Sequence, residues 1–460
     1  MALDDAFPQY LPWGAAREGY QIAEGGYKFL LSGMQEEPLQ NLPSLKQLRA
    51  FTMVAATGSA LAASARLRIS QPAVSYSLDR LEAVLGVRLL ERNVSGSYLT
   101  AAGRLLHNRT TRFFDQIVDA VGDVIDSAGQ GRDKAEALAL KLKETQVRAL
   151  VGIWRAGSFR AAASELAISE PSLQRPAREL ERLLRVSLYR RTAAAIEVNP
   201  AGAEFARRLS LALTEVWSAI EEIGATLQLS RASLRVGVLA LSPRVILAEA
   251  ATELLARQPQ QGIDVVEDTY ESHVRALRSG DIDVIFGALR PPPIPDDLIE
   301  RPLFEDPYVL VCRQAHPLAR RRVVAPRLLA QYDFVLPSRG LPRRAVLDRM
   351  LARWSIKPKA RIETSCLTTI LALLRGSDRI SLLSRWQVDR TAPGDLCCIE
   401  VAGVPNNPRF VGLTMRHNWL PTPFQQEFLR LIQHSANSWS APTTAVGIRG
   451  RKRARQRAHA

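Results

Sequence analysis

Ser59-Ala-Leu-Ala-Ala-Ser-Ala-Arg-Leu-Arg-Ile-Ser-Gln-Pro-Ala-Val-Ser-Tyr-Ser-Leu-Asp-Arg-Leu-Glu82 reads as a helix, a tight turn and a second helix. Ala62, Ala63 and Leu67 share one face of the first helix, and Ile69 plugs the turn. Ser70 is a good N-cap, because its hydroxyl can accept from a free backbone N–H of the next helix. Pro72 falls in that helix's first turn, where no intrahelical N–H is lost. Val74, Leu78, Leu81 and Leu85 recur at helical spacing and point inward. Gln71, Ala73, Ser75, Tyr76, Asp79 and Arg80 take the opposite, solvent-facing side. Short polar side chains opening an exposed helix suit the DNA major groove.

The pattern extends in both directions. Residues 44–57 form a support helix with the apolar stripe Leu45, Leu48, Phe51, Val54 and Ala55. Residues 86–99 read as a short β-wing with Arg92 at its base, where an arginine can hold a phosphate. Residues 101–128 form a long helix with Leu105, Leu106, Phe113, Ile117, Val121, Val124 and Ile125 on one side. Phe51, Gly58-Ser59, Ala62-Ala63, Leu67, Ser70-Gln71-Pro72-Ala73, Ser75, Leu81-Glu82, Leu85-Gly86, Leu89-Leu90, Arg92, Leu99-Thr100 and Gly103 carry a resemblance to LysR-type transcriptional regulators. The resemblance implies a winged helix-turn-helix and linker helix over residues 44–128. It also implies DNA contacts from Ser59, Ser70, Gln71, Pro72, Ala73, Ser75, Tyr76, Arg80 and Arg92. In that family the linker helix pairs with its twin in a dimer; intrachain packing is the other reading of 101–128.

The pattern then starts again. Ala156 to Leu173 aligns on Thr57 to Val74 without a gap, an offset of 99 residues that continues through Leu180-Glu181, Val186, Arg191 and Gly202. So many small, apolar and capping positions do not recur at one offset by chance. Residues 143–229 therefore form a second winged helix-turn-helix with its own linker helix. Ser169, Ser172, Gln174, Arg175 and Arg191 are its candidate DNA contacts. Gln71 becomes Glu170, which can only accept hydrogen bonds, whereas Arg175 in place of Tyr76 can read guanine. Pro176 inside the helix removes the N–H owed to the Ser172 carbonyl and predicts a kink. The second copy thus reads either as a base reader or as a spacer, dimer surface or phosphate clamp.

From Ser233 strands alternate with helices, which implies parallel β/α units. Leu234-Arg235-Val236-Gly237, Gly280-Asp281-Ile282-Asp283, Pro302-Leu303-Phe304, His316-Pro317-Leu318, Glu363-Thr364-Ser365 and Leu382 resemble the effector domain of the same family. The expected fold is a multidomain α/β chain. Two α-helical winged helix-turn-helix units precede a two-lobed, periplasmic-binding-protein-like effector domain at 233–435. Ligands in such sheets bind beyond the carboxyl ends of strands, at helix N-termini. That places Leu241, Ser242, Gly287, Ser338, Thr364, Ser365 and Cys366 at the effector site. Ser242 and Ser365 have a plainer reading as helix caps. Arg290, Arg339 and Arg385 could each pair a carboxylate, though surface exposure is the commoner fate in an Arg-rich chain.

The 460 residues suffice for two to four domains with their own cores. The formal charge of +15 favours a polyanionic partner. The four cysteines (Cys312, Cys366, Cys397 and Cys398) lack metal spacing and suit a reducing cytoplasm. No apolar run reaches the roughly 18 residues of a membrane span. The histidines are scattered, with no nucleophile elbow or phosphate loop, so no enzyme, metal or cofactor is expected. Residues 1–43 read as disordered, with Met34 as an alternative start, and residues 436–460 as a disordered basic tail. The tail's Arg449 to Arg457 run can add salt-dependent phosphate contacts.

The expected partners are double-stranded DNA, a small-molecule effector for which an anion is a candidate, RNA polymerase, and further copies in a homodimer or homotetramer. The expected place is the bacterial cytoplasm, at the nucleoid. Ligand-driven closure of the lobes would bias the placement of reader units in the oligomer. A DNA-bridging nucleoid protein without a ligand is the alternative.

Overall fold

The computed structural model describes residue 39 and residues 42–93, 96–192, 195–227, 232–358, 361–391, 394–402 and 409–440. Most of the predicted N-terminal segment, Met34 included, and residues 441–460 of the basic tail lie outside the described residues. The chain divides into two units at Ser233/Leu234.

The first unit opens with α1 (Leu45–Thr57), α2 (Ala60–Leu67) and α3 (Gln71–Leu85). The wing is β1 (Leu90–Asn93) against β2 (Gly96–Leu99), and α4 (Ala101–Ser127) follows. Gly58 ends α1 with φ 67°, a left-handed conformation that glycine adopts without a Cβ penalty. Val74, Leu78, Leu81 and Leu85 are buried as the spacing predicts, but Ala62 is exposed and Ser64 buried in its place. The inner face of α2 follows the i, i+3, i+4, i+7 spacing of Ala60, Ala63, Ser64 and Leu67, which turns Ala62 outward, and the inward Ser64 hydroxyl bonds the Leu61 carbonyl at 2.8 Å.

A short helix α5 (Ala135–Ala139) leads into the second copy. It comprises α6 (Glu144–Ala156), α7 (Phe159–Glu165), α8 (Glu170–Leu184), strands β3 (Tyr189–Arg191) and β4 (Ile196–Val198), and α9 (Pro200–Thr226). Both copies use the same internal devices. Glu82 Oε1 accepts from the N–H groups of Leu89 and Leu90 at 2.7 and 3.1 Å. Glu181 Oε1 accepts from Leu188 and Tyr189 at 2.8 and 3.2 Å. Thr100 caps Gly103 at 2.9 Å, and Asn199 caps Gly202 at 2.8 Å. A Cβ on Gly103 would sit 2.1 Å from the Leu89 carbonyl oxygen, and one on Gly202 would sit 2.3 Å from that of Leu188. Backbone cannot yield cheaply there. Gly103→Ala and Gly202→Ala are each expected to cost about 1–3 kcal/mol despite alanine's better helix propensity, as read by urea unfolding.

The predicted kink at Pro176 does not break α8, which runs unbroken from Glu170 to Leu184. Ser172, whose carbonyl loses the in-helix donor, lies on the exposed side where solvent can take its place.

The apolar stripe of α4 does not await a twin from another chain. Its cover is α9 of the same chain, and both helices belong to one core that includes Phe113, Ile117, Val121, Val216, Ile220 and Ile223. The two helices run antiparallel. Arg109, early in α4, meets Glu222, late in α9, and Asp123, late in α4, meets Arg208, early in α9.

The second unit holds two five-stranded mixed sheets. The first has the order β6-β5-β7-β14-β8, from β5 (Ser233–Val238), β6 (Gly262–Glu267), β7 (Val284–Ala288), β8 (Leu298–Glu305) and β14 (Phe410–Arg416). The second has the order β11-β10-β12-β9-β13, from β9 (Tyr308–Arg313), β10 (Phe334–Leu336), β11 (Arg361–Glu363), β12 (Ile380–Ser384) and β13 (Leu396–Ile399). Helices α10 (Arg244–Arg257), α11 (Tyr270–Ser279), α12 (Pro326–Leu329), α13 (Pro342–Arg353), α14 (Leu367–Arg375) and α15 (Pro423–Ser440) complete the unit. The alternation predicted parallel units throughout. β5 is parallel to β7, and β10 to its neighbours, but β14 and β9 run antiparallel to the strands beside them. Antiparallel strands enter because the chain crosses from the first lobe to the second after β8 and returns before β14. Cys397 and Cys398 sit in β13 and pack into cores on opposite faces of its sheet, as adjacent strand residues must.

Candidate functional site

Helix α3 is fixed by its inner face and offers its outer one. Ser70 Oγ accepts from Ala73 N at 3.4 Å, and Ser59 Oγ caps α2 on Ala62 N at the same distance. Gln71, Pro72, Tyr76 and Arg80 are exposed, while Ala73 and Ser75 are half-buried. The structure therefore brings Gln71, Ser75 and Tyr76 onto one accessible face at the start of a helix. The backbone of Arg92 pairs with Ser97 in the wing, while its side chain lies outside the described residues.

In the second copy Ser158 caps Ala161 at 3.2 Å, but Ser169 caps nothing and instead meets Ser172 Oγ at 2.8 Å. Arg175 is exposed, and its Nε donates to Glu179 Oε1 at 3.0 Å. The guanidinium, with help from Lys143, holds the Glu179 carboxyl below its ordinary range. Gln174 and Glu170 are half-buried, and Arg191 is exposed on β3.

The residues expected at the effector site fall in two groups. In the first lobe, Leu241 adopts a left-handed conformation after β5, with φ 64°. Ser242 does not cap α10; its hydroxyl is buried and donates to the Phe286 carbonyl at 3.3 Å. Gly287 is glycine because a Cβ would lie 2.7 Å from Leu239 Cβ and 2.8 Å from Ser242 Oγ. In the second lobe, Ser365 does not cap α14 either. Its hydroxyl donates to Ser338 Oγ at 3.0 Å and accepts from Ser338 N at 3.3 Å, joining the ends of β10 and β11. Thr364 Oγ1 accepts from Cys366 N at 3.2 Å. Cys366 is exposed at the N-terminus of α14, and bonds from Thr369 and Thr368 lower its thiol pKa.

Two buried polar side chains escaped sequence reasoning. Gln387 is buried after β12 and donates to the Leu241 carbonyl at 3.1 Å, a bond from one lobe to the other. Arg343, at the start of α13, is buried. Its Nη1 donates to the Leu382 carbonyl at 3.1 Å, while Nε and Nη2 have no partner among the described residues. Burial lowers its pKa to about 10. A buried cation with unmet donors, in the element following Ser338, is suited to an anion. Arg290, Arg339 and Arg385 take other fates: a stack over Tyr270 at 4.4 Å, a 3.9 Å pairing with Glu363, and a 3.1 Å contact with Cys398 Sγ. Among the described residues, no group of His, Cys, Asp or Glu is placed to hold a metal ion, and no helix is long and apolar enough to cross a membrane.

The LysR substrate binding domain matches residues 227–437. The bacterial regulatory helix-turn-helix protein of the lysR family matches twice, at 45–104 and 145–203. The chain is 29% identical over 384 residues to the HTH-type transcriptional regulator GalR of Pseudomonas putida, covering 83% of this chain and 94% of that one. It is 29% identical over 274 residues to a probable hydrogen peroxide-inducible genes activator of Streptomyces viridosporus, covering 59% and 87%. Among solved structures, a full-length OxyR variant from Pseudomonas aeruginosa superposes with a TM-score of 0.47 at 22% identity, covering 64% of this chain and 94% of that one.

Proposed function

The chain belongs to the LysR family of transcriptional regulators, and on that premise we propose how its residues divide the work. Members of this family regulate transcription by binding DNA and responding to small-molecule effectors; they are not enzymes in general. Here α3 enters the major groove, and Gln71, Ser75 and Tyr76 read base edges. Ser59, Ser70 and Arg80 flank them, with Arg92 on the wing, and fix the phosphates that set register, while Pro72 and Ala73 give apolar contact in the groove. The observation that carries this reading is the capped start of α3, with Gln71 and Tyr76 exposed above a fully buried Val74, Leu78 and Leu81. Glutamine forks onto adenine, and such a pair discriminates by about 1–3 kcal/mol. Gln71→Ala/Ser75→Ala should remove the protection that α3 gives within a discrete nuclease footprint on selected genomic fragments at fixed salt. An unchanged footprint would reject the assignment.

The effector is a small anion, of which a carboxylate is the simplest kind, taken up between the lobes. Arg343 and the Ser338–Ser365 pair supply donors from one lobe, and the Leu241–Ser242 turn closes from the other. Gln387 then reports lobe closure through the Leu241 carbonyl. A ligand present at 100 times its Kd stabilises a protein by about 2.7 kcal/mol. A panel of small carboxylates should therefore include members that raise the melting temperature of the wild type but not of Arg343→Met. Equal shifts in both proteins would remove Arg343 from the site. RNA polymerase and further copies of the chain remain its proposed partners, at the nucleoid of a bacterial cytoplasm.

A further inference from the structure

We infer that a single chain is a complete two-headed DNA reader, whose two unlike recognition helices, α3 and α8, are held in cis to bind one non-palindromic site. The inference rests on the reading that α3 contacts bases.

The helix pair α4/α9 has the symmetry of a dimer built inside one polypeptide. Position by position, α9 repeats α4 at the 99-residue offset, so Arg109 corresponds to Arg208, Gln116 to Glu215 and Asp123 to Glu222. A twofold relation requires each cross-contact to occur twice with its members exchanged. Arg109 pairs with Glu222 at 2.6 Å, and its exchanged counterpart, Arg208 with Asp123, is also formed. A residue on the axis must meet its own equivalent. Gln116 Nε2 donates to Glu215 Oε1 at 3.2 Å. Flanking core positions correspond as well: Ile117 and Val216, Val121 and Ile220, and Val124 and Ile223 are all buried.

The side chains at the axis favour the mixed pair over either like pair. Glu215 receives Arg109 Nη1 at 2.9 Å and Arg112 Nε at 3.0 Å, both from α4. Two copies of α9 would place Glu215 against Glu215, with Leu211 where Arg112 stands. Two copies of α4 would keep Asp123 opposite Arg109 but set Gln116 against Gln116, with Arg109 and Arg112 from both sides and no acid at the axis. Polar groups at such positions select partners by what they reject. The connection keeps the mixed pair within one chain. Ala135, Ala139 and Leu142 are buried in the shared core, and Arg49 donates to the carbonyls of Ala139 and Leu142 at 2.6 and 3.0 Å.

Antiparallel pairing puts the two winged heads at opposite ends. Each linker helix has 27 residues, about 40 Å at helical rise. Paired helix-turn-helix heads need their centres one DNA turn apart, roughly 34–36 Å. The heads differ in what they read. Gln71 of α3 suits adenine, whereas Glu170 suits cytosine and Arg175 suits guanine. Arg175 holds Glu179 through Nε, not through the Nη groups that fork onto guanine. The second half-site is therefore the richer in G·C.

The test is selection of binding sites by the full-length protein from random duplexes at fixed salt. The expected motif has two unlike halves in fixed order, centres about 10 base pairs apart. Gln71→Ala/Ser75→Ala should erase one half and Gln174→Ala/Arg175→Ala the other. Each should weaken binding to a short composite duplex roughly tenfold to a hundredfold. Co-expressing the two variants, so that chains can exchange, should leave that binding weak, because neither chain carries both intact heads. Two identical half-sites, indifference to the Gln174/Arg175 change, or recovery in the co-expressed mixture would overturn the inference. A wild type that selects no motif would instead reject base reading by α3.

Discussion

Arg109→Leu is expected to destabilise the reader unit by about 3–5 kcal/mol, the range for breaking a buried ion pair by removing one member. Arg109 is only 3% exposed, and its partners Glu215 and Glu222 are 7% and 9% exposed. Burial alone would lower the pKa of this guanidinium, but hydrogen bonds and charge from Glu222 and Glu215 outweigh it and raise the value. With leucine at 109, Glu215 keeps Arg112 and Gln116, whereas Glu222 loses its 2.6 Å partner. The penalty therefore comes from a stranded carboxylate more than from the lost attraction. A triple variant with leucine at 109, 215 and 222 should recover most of the loss, because well-packed apolar replacements of buried charge networks are often neutral or better. Urea unfolding of the three proteins settles it. A loss below about 1 kcal/mol for the single variant would mean that water already reaches the site. If the triple variant recovers stability yet binds DNA poorly, the charges specify which helices pair, which is a separate role from holding them together.

Asp306→Ala should cost the effector unit a similar amount, about 3–5 kcal/mol. Asp306 is 2% exposed where the chain crosses between lobes, and its Oδ2 lies 2.5 Å from Nη1 of Arg409, itself 8% exposed, on the return crossing. Asp306 N donates to the Arg409 carbonyl at 2.7 Å, and Oδ1 accepts from Trp386 N at 2.9 Å. One carboxylate thus ties both crossings to the segment that carries Gln387. Removing it strands a buried guanidinium and frees the lobes to move about their joint. Denaturation followed by tryptophan fluorescence gives the stability change, and the same variant should lose its thermal response to ligand. A stability near wild type would show that the backbone bonds hold the crossings by themselves.

The elements of the reader heads were legible from residue order because their determinants are local. The cap at Ser70 and inward positions 74, 78, 81 and 85 lie within a few turns of one another. The duplication was equally plain, since a repeat at fixed offset needs no contacts to be seen. Where local pattern misled, a distant group had intervened. Ser242 and Ser365 look like caps in sequence, yet their hydroxyls go to Phe286 and Ser338. The strands β8 and β14 went unread because antiparallel return strands give no β/α alternation to follow, whereas Cys397-Cys398 of β13 read as a strand with its side chains on opposite faces. Arg343 and Gln387 gave no signal, because only folding buries a polar residue far from water, leaving Arg343 with unmet donors and Gln387 on the Leu241 carbonyl.

Sequence by itself determined that this chain carries two winged heads and an α/β effector domain, because capping, apolar period and repeat are properties of neighbouring residues. Tertiary structure alone decided what the long linker helices do. The apolar stripe of α4 fits a helix from another chain as well as one from its own, and no one-dimensional pattern separates those cases. What separates them is Arg109 meeting Glu215 and Glu222, more than 100 residues away, as the structure shows at 2.9 and 2.6 Å. Charges that far apart in sequence acquire a preference only when both are desolvated against each other.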